Sequence, residues 1–286
     1  GMVLYLHPPQ IEVEGSVRRA LQEDLTPLGD LTAALVPAEA KARGVLAARQ
    51  DGVLAGTACA TEAFRQIDAT IAVTWEVAEG DKIEVGQVLA RLEGPLATVL
   101  TADRTALNYL SHLSGIATVV AHWVAEAAGG AVVWDTRKTT PGLRALEKAA
   151  VRAGGGANHR ANLSDWVMLK DNHLTGTDIS SAVAQAKQKW PGRTVHVECD
   201  SPEQAQEATA AGADALLLDN MTPAVVKECV AAAQAFEQQH GRRPLLEASG
   251  GITFEVLAEY AATGVDCISG GSLTNSAPAL DIGLDL

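Results

Sequence analysis

Hydrophobic positions change their period three times along this chain. Between Glu12 and Asp24 the apolar residues Val13, Val17 and Leu21 recur at every fourth position, which predicts an amphipathic helix. A polar connection follows, from Glu23 to Asp30. From Gly44 to Glu93 the runs become short and alternating, as in 71–77 and 87–92, and predict strands of an antiparallel or mixed sheet. Helical periodicity returns from Pro95 to Ala128, where Ser114-Gly115 predicts a break into two helices. Beyond it the rhythm is strand, loop, helix, repeated. Strands are expected at 131–135, 166–170, 194–199, 215–219, 245–249 and 266–269, with helices near 142–153, 178–189, 202–211, 223–239 and 253–262.

Such alternation implies parallel strands joined by helical crossovers, in a barrel or a doubly wound sheet. The polar residues choose between them. Each apolar strand finishes in a functional group: Asp135 running into Arg137 and Lys138, then Lys170, Glu198, Asp219, Ser249 and Ser269. In a barrel all these ends meet at one mouth, whereas most strands of an open sheet end far from its switch point. The pattern therefore favours an α/β barrel of six or seven strands, preceded by a separate α/β layer. Within that layer, Glu79 to Gln87 reads as a hairpin resembling the hammerhead of lipoyl and biotinyl carrier domains. No second, paired hairpin offers the lysine that a carrier needs, so the segment is read as scaffold.

Composition narrows the class. Among 286 residues, 47% are hydrophobic and 4% aromatic, which suits close helix-on-sheet layers. No apolar run approaches the roughly 20 residues of a membrane span, and no export signal is evident. Cys59, Cys199, Cys229 and Cys267 lie far apart without metal-ligand spacing, so buried free thiols and a cytoplasmic location are expected. A net charge of −13 argues against nucleic acid as a partner. The stretch 131–175 departs from that balance, with seven basic side chains against four acidic ones. Arg144, Lys148 and Arg152 follow one helix face, but Arg137, Lys138, Arg160 and Lys170 do not. A local positive field in an acidic protein suits a small, highly anionic ligand.

The motifs supply matching chemistry. In Asp135-Thr136-Arg137-Lys138 a planar fork and a point charge stand side by side, suited to carboxylates and phosphates. A glycine-rich loop, Gly154-Gly155-Gly156, leads to Asn158-His159-Arg160. Lys170 ends an apolar strand, a costly place for a cation without an anion beside it. Glu198 and Asp219 are able to hold ribose hydroxyls or a magnesium ion, or to pair with Lys170. Ser249-Gly250-Gly251 and Gly270-Gly271 follow the last two strands, where barrels commonly cradle phosphate.

These pieces together resemble the quinolinate phosphoribosyltransferase family, also called nicotinate-nucleotide pyrophosphorylase (carboxylating). The matching segments run in family order: Glu23-Asp24 with Gly29-Asp30, 104–108, 113–118, 135–142, 154–160, 169–173, 218–220, 248–251 and Leu273-Thr274. Two departures occur, Ala102-Asp103 before Arg104 and Asn275 in place of a common histidine. The resemblance implies an N-terminal α/β sandwich domain over 1–112, an incomplete α/β barrel over 113–275, and 276–286 returning to the first domain. It implies a homodimer with shared active sites, able to assemble further, in which Arg104 reaches the neighbour's site. Arg137, His159, Arg160 and Lys170 would surround the pyridine dicarboxylate. Lys138, Glu198 and Asp219 would meet phosphoribosyl pyrophosphate or its Mg2+, with Lys138, Lys170, Glu198 and Asp219 as the catalytic group. Ser249, Gly250, Gly270 and Gly271 would hold the 5′-phosphate, and Thr136, Gly251 and Ser272 complete the substrate-binding set.

The implied reaction is decarboxylating phosphoribosyl transfer from phosphoribosyl pyrophosphate to quinolinate. A related phosphoribosyltransferase of molybdate-transport operons would act on another acceptor; intact 158–160 and 170–173 favour quinolinate. A silent metabolite-binding regulator would tolerate losses among Arg137, Lys138, Lys170, Glu198 and Asp219, and all five are present.

Overall fold

Alternating small apolar and polar residues make strands of Lys41–Ala48 and Val88–Pro95, which pair antiparallel along most of their length. In the computed structural model, which describes residues 2–286, they form the centre of a four-stranded sheet. Ala72–Trp75 flanks Val88–Pro95, and Ile282–Asp285 flanks Lys41–Ala48 in the register Val45 to Asp285. The C-terminal strand thus closes an edge that the first 121 residues leave open. Lys82–Ile83 pairs with Gly52–Val53 in a separate two-stranded ladder, so the expected hairpin over 79–87 is a turn serving another partner.

This sheet belongs to the first of two compact units, which comprises 1–121, 138–156 and 272–286. Helices Gln10–Leu25 and Thr57–Ile67 pack together there, burying Val13, Val17 and Leu21 with Cys59, Ala60, Ala63 and Phe64. One correction concerns the expected break at Ser114-Gly115. Leu96–Ala127 is a single helix of 32 residues. Ser114 is fully buried and exchanges hydrogen bonds with the Ala55 backbone at 2.9 and 3.0 Å. A Cβ on Gly115 would sit 2.2 Å from the Pro278 carbonyl oxygen. Both residues are there for close packing against neighbouring chain, and the helix absorbs their weak propensity.

The second unit, 122–137 with 157–271, holds a six-stranded parallel sheet. Its strands are Val132–Trp134, Val167–Leu169, Val195–Cys199, Ala215–Asp219, Leu245–Ser249 and Cys267–Ser269. From Val167–Leu169 onward each strand lies beside its successor, and the last, Cys267–Ser269, pairs with the first, Val132–Trp134. That cyclic order is a barrel's; a doubly wound sheet reverses direction at its middle. The barrel is incomplete because the first and second strands do not pair. Ala157 bonds the Val133 carbonyl at 2.9 Å and occupies that edge instead.

Helices Ile179–Lys189, Pro202–Ala211, Pro223–His240 and Phe254–Ala261 form the crossovers. Asp178, Ser201 and Thr222 cap the first three by accepting backbone N–H bonds from Ser181, Gln204 and Val225. The outward residues Val195, Val197, Cys199, Leu216, Leu218, Leu246, Ala248 and Ile268 are buried. No helix among the described residues is long and apolar enough to cross a membrane. All four cysteines are free and buried, and burial pushes the thiols of Cys59, Cys199 and Cys267 up to about 12.

Candidate active site

Period-two alternation gives each barrel strand an inward row. Glu198 lies two residues beyond His196, Asp219 beyond Leu217, Ser249 beyond Glu247, and Lys170 beyond Met168. The second member of each pair therefore stands at the strand's C-terminal end, with the first one layer deeper.

At that end Asp135, fully buried, follows Val132–Trp134 and acts as scaffold. Its two carboxylate oxygens accept the His159 backbone N–H and the Asn158 side-chain amide, each at 2.8 Å. The glycine-rich loop is thereby tied to the first strand, and His159 and Arg160 are brought into the unit at 7% exposure each. Burial lowers the Arg160 guanidinium's affinity for its proton, and Arg137's positive charge lowers it further, with Asp165 opposing. Two cations share a poorly solvated place, an arrangement that an anionic ligand relieves.

Opposite charge gathers at the neighbouring strands. Burial holds the Glu198 carboxyl above the usual range, Asp219's charge raises it further, and Lys170 pulls it down. Two carboxylates acted on by one lysine form a negative field that a cation or a developing positive centre would neutralise. Lys170 itself is half-buried, and its backbone N–H donates to His173 Nδ1 at 3.0 Å.

The glycine turns have separate physical reasons. Gly250 has φ +93°, and a Cβ there would lie 2.5 Å from Asn220 Oδ1 and 2.7 Å from Asp219 Oδ1. It admits the Asp219-Asn220 turn, whose Asn220 N–H donates to the Ser249 carbonyl at 3.1 Å. Gly251, at φ +66°, faces open space. The Gly270 N–H bonds the Trp134 carbonyl at 3.3 Å, so its hydrogen serves the sheet. Gly250→Ala is expected to lower stability by ~1–3 kcal/mol through its left-handed backbone and the displaced Asp219 turn. A denaturant midpoint equal to the parent's would refute this reading of the turn.

Other expected residues belong to the first unit. Thr274 donates to the Lys138 carbonyl at 2.7 Å, and buried Glu147 accepts the Thr140 N–H at 2.9 Å and faces His112 Nε2. These bonds hold the backbone that carries Lys138. Exposed Arg104 lines a cavity of about 580 Å³ with Arg19, Glu23, Asp24, Asn108 and Pro141. Ser272 begins the short helix Ser272–Asn275. Arg104, Lys138 and Ser272 thus lie in a different compact unit from Thr136, Arg137, His159, Arg160, Lys170, Glu198 and Asp219.

Sequence reading missed a deeper cluster. His159, His196 and Glu247 are buried with ligand atoms within 4.8 Å of one another, a donor set able to hold a divalent ion. The signal was available in the strand period: His196 shares the face of Glu198, and Glu247 that of Ser249.

Fold and site together define an enzyme built on an incomplete α/β barrel, with clustered cations and paired carboxylates at the strand ends. Residues 30–114 match the N-terminal domain and residues 116–285 the C-terminal domain of quinolinate phosphoribosyl transferase. The chain belongs to the quinolinate phosphoribosyltransferase family. It is 41% identical over 262 residues to the probable nicotinate-nucleotide pyrophosphorylase (carboxylating) of Bacillus subtilis, covering 90% of this chain and 88% of that one. Identity is also 41% over 278 residues to the Mycobacterium leprae nicotinate-nucleotide pyrophosphorylase (carboxylating), covering 95% and 96%. The solved nicotinate-nucleotide pyrophosphorylase of Francisella tularensis superposes with a TM-score of 0.92 at 34% identity, covering 98% of each chain.

Proposed function

We infer that this enzyme transfers the phosphoribosyl group of phosphoribosyl pyrophosphate to quinolinate, releasing pyrophosphate and carbon dioxide and forming nicotinate mononucleotide. Beyond family membership, the observation that carries this reading is buried Arg160 beside half-buried Arg137, a concentration of positive charge suited to an anionic acceptor. Incubation with quinolinate, phosphoribosyl pyrophosphate and Mg2+ is expected to consume ultraviolet-absorbing quinolinate and release nicotinate mononucleotide and carbon dioxide in equal amounts. A folded protein that forms neither product would overturn it.

Arg137, His159, Arg160 and Lys170 grip the two carboxylates and aim the pyridine nitrogen at C1′ of the ribose. As the C1′–oxygen bond to pyrophosphate breaks, positive charge develops on the ribose ring. Glu198 and Asp219 face that charge; burial raises Glu198 first and Asp219's charge further, and the two carboxylates' negative charge favours the positive centre. The nitrogen–C1′ bond leaves the pyridine nitrogen cationic. The adjacent carboxylate then departs as carbon dioxide, its electron pair remains on the ring carbon beside that nitrogen, and a proton completes the product. No covalent enzyme intermediate is required, so placement and electrostatics supply the rate.

Mg2+ prefers oxygen ligands, and Glu198 and Asp219 offer them directly or through water, whereas the nitrogen-rich His159/His196/Glu247 set matches softer ions. Bound with phosphoribosyl pyrophosphate, Mg2+ would neutralise the departing pyrophosphate, with Lys138 as its protein counterpart. The 5′-phosphate falls to Ser249, Gly251, Gly271 and Ser272, with Gly250 and Gly270 allowing close backbone approach.

Shared sites in a homodimer, which the family resemblance implies, fit Arg104 standing exposed on Leu96–Ala127. Ile11, 80% exposed, lines its cavity, and Leu28, Leu31 and Leu35 are similarly exposed in that unit. Four buried free thiols agree with a cytoplasmic location.

Lys170 is assigned to quinolinate. Lys170→Ala is expected to raise the quinolinate KM by ~10²-fold while changing the phosphoribosyl pyrophosphate KM far less. Calorimetry showing the reverse order would move Lys170 to the phosphate side.

A further inference from the structure

One layer below the strand ends, three side chains of the second unit bring donor atoms to one buried place. Glu247, 1% exposed, sits mid-strand in Leu245–Ser249, and fully buried His196 sits in Val195–Cys199. His159 reaches the same place from the segment after the glycine-rich loop. Glu247 Oε1 lies 2.9 Å from His196 Nε2 and 3.3 Å from His159 Nε2, and the three atoms fall within 4.8 Å of one another.

The 2.9 Å approach is not a hydrogen bond, for neither His196 Nε2 nor Glu247 Oε1 has a hydrogen-bond partner. So close a pair fails to bond only where the Nε2 axis passes beside the oxygen. Donor axes that meet at a third point instead of on each other are what ligands around an ion present. Ligand atoms about 2.0–2.1 Å from zinc and about 90–110° apart stand ~2.9–3.4 Å from each other. Both separations from Glu247 Oε1 fall in that range.

The donor types select the ion. Two imidazoles and one carboxylate are ligands that zinc takes together, whereas Mg2+ prefers oxygen throughout. The Trp134 indole N–H donates to Glu247 Oε2 at 3.1 Å, which fixes the carboxylate with Oε1 toward the histidines. The Trp134 and Trp166 rings pack 4.7 and 4.8 Å from His159, and Trp166 stacks on His196 at 6.0 Å. An ionised carboxylate in so dry a wall is costly without a cation beside it.

We propose that His159, His196 and Glu247 hold a divalent transition ion of the zinc class, separate from the Mg2+ that accompanies phosphoribosyl pyrophosphate. The ion joins the segment carrying His159 to two barrel strands, so its first effect is on stability. No substrate takes part, and the proposal stands apart from the acceptor assignment.

Chelator-stripped protein, incubated with excess ZnCl2 in the presence of MgCl2 and freed of loose metal by gel filtration, is expected to keep about one zinc per chain. Its thermal midpoint should rise with added ZnCl2 at constant MgCl2. X-ray absorption at the zinc edge should show a nitrogen and oxygen shell with the outer scattering of imidazole. Glu247→Gln and His196→Leu are each expected to weaken zinc binding by more than ~100-fold, and Trp134→Phe, which loosens only the carboxylate's support, by ~10–100-fold. His240→Ala, which removes an exposed histidine, should bind zinc as the parent does. No zinc retained by the parent, a spectrum without imidazole scattering, or equal affinity in the parent, Glu247→Gln and His196→Leu overturns the proposal. Should both ligand variants fail to fold, Trp134→Phe decides together with the parent's spectrum, and unchanged zinc affinity in Trp134→Phe then overturns it.

Discussion

Quinolinate is expected to exceed nicotinate as acceptor by ~10²–10³-fold in kcat/KM, because an unpaired cation in a desolvated site costs about 2–5 kcal/mol. Arg160 is 7% exposed, and burial and Arg137's charge together already disfavour its ionised form. A second carboxylate on the acceptor offsets that crowding of positive charge more fully than a monoacid does. The second carboxylate is also the leaving group, so nicotinate can complete only the transfer half of the reaction. Product formation from each acid at equal phosphoribosyl pyrophosphate, followed by chromatography, measures the ratio. Comparable turnover would mean that Arg137 and Arg160 serve phosphate instead, and the acceptor assignment would have to be abandoned.

Arg104→Ala and Glu198→Ala are each expected to lose at least ~10²-fold in activity, since each removes a charged group from substrate or transition state. Unfolded together and refolded as an equal mixture, they should recover roughly a quarter of the parent's activity. Half of the dimers are then mixed, and one site of each mixed dimer collects both defects while the other collects neither. Sharing is what the family resemblance implies for Arg104, which is exposed and lines a cavity together with exposed Ile11. If mixed dimers form and activity remains at the level of the single variants, Arg104 works within its own chain or not at all.

Much of the architecture is local, and local patterns write themselves into sequence. The strand expected at 215–219 and that at 245–249 agree with the structure to the residue, because each is a short apolar run bounded by turn residues. The helix expected at 202–211 agrees equally, opened by Ser201 as cap and Pro202 at its first position. Barrel rather than open sheet was legible from charge at successive strand ends, since only a closed order gives every strand end a reason to be polar. The incomplete closure was not legible: the seam depends on Ala157 taking the edge beside Val133, a pairing that no period announces.

Residue type and spacing thus determined the alternation of strands and helices, the buried thiols, and the candidate cations and carboxylates. Tertiary structure alone decided three things. Gly115 is a packing residue inside an unbroken helix, because the Pro278 carbonyl lies where a side chain would be. Gly250 makes room for the Asp219 turn as well as following a strand. Glu247, inconspicuous in Leu-Leu-Glu-Ala-Ser, becomes the meeting point of His159, His196 and Trp134. Period and propensity act between residues a few positions apart, whereas a buried charge is satisfied by whatever the closed barrel brings within 3 Å or so.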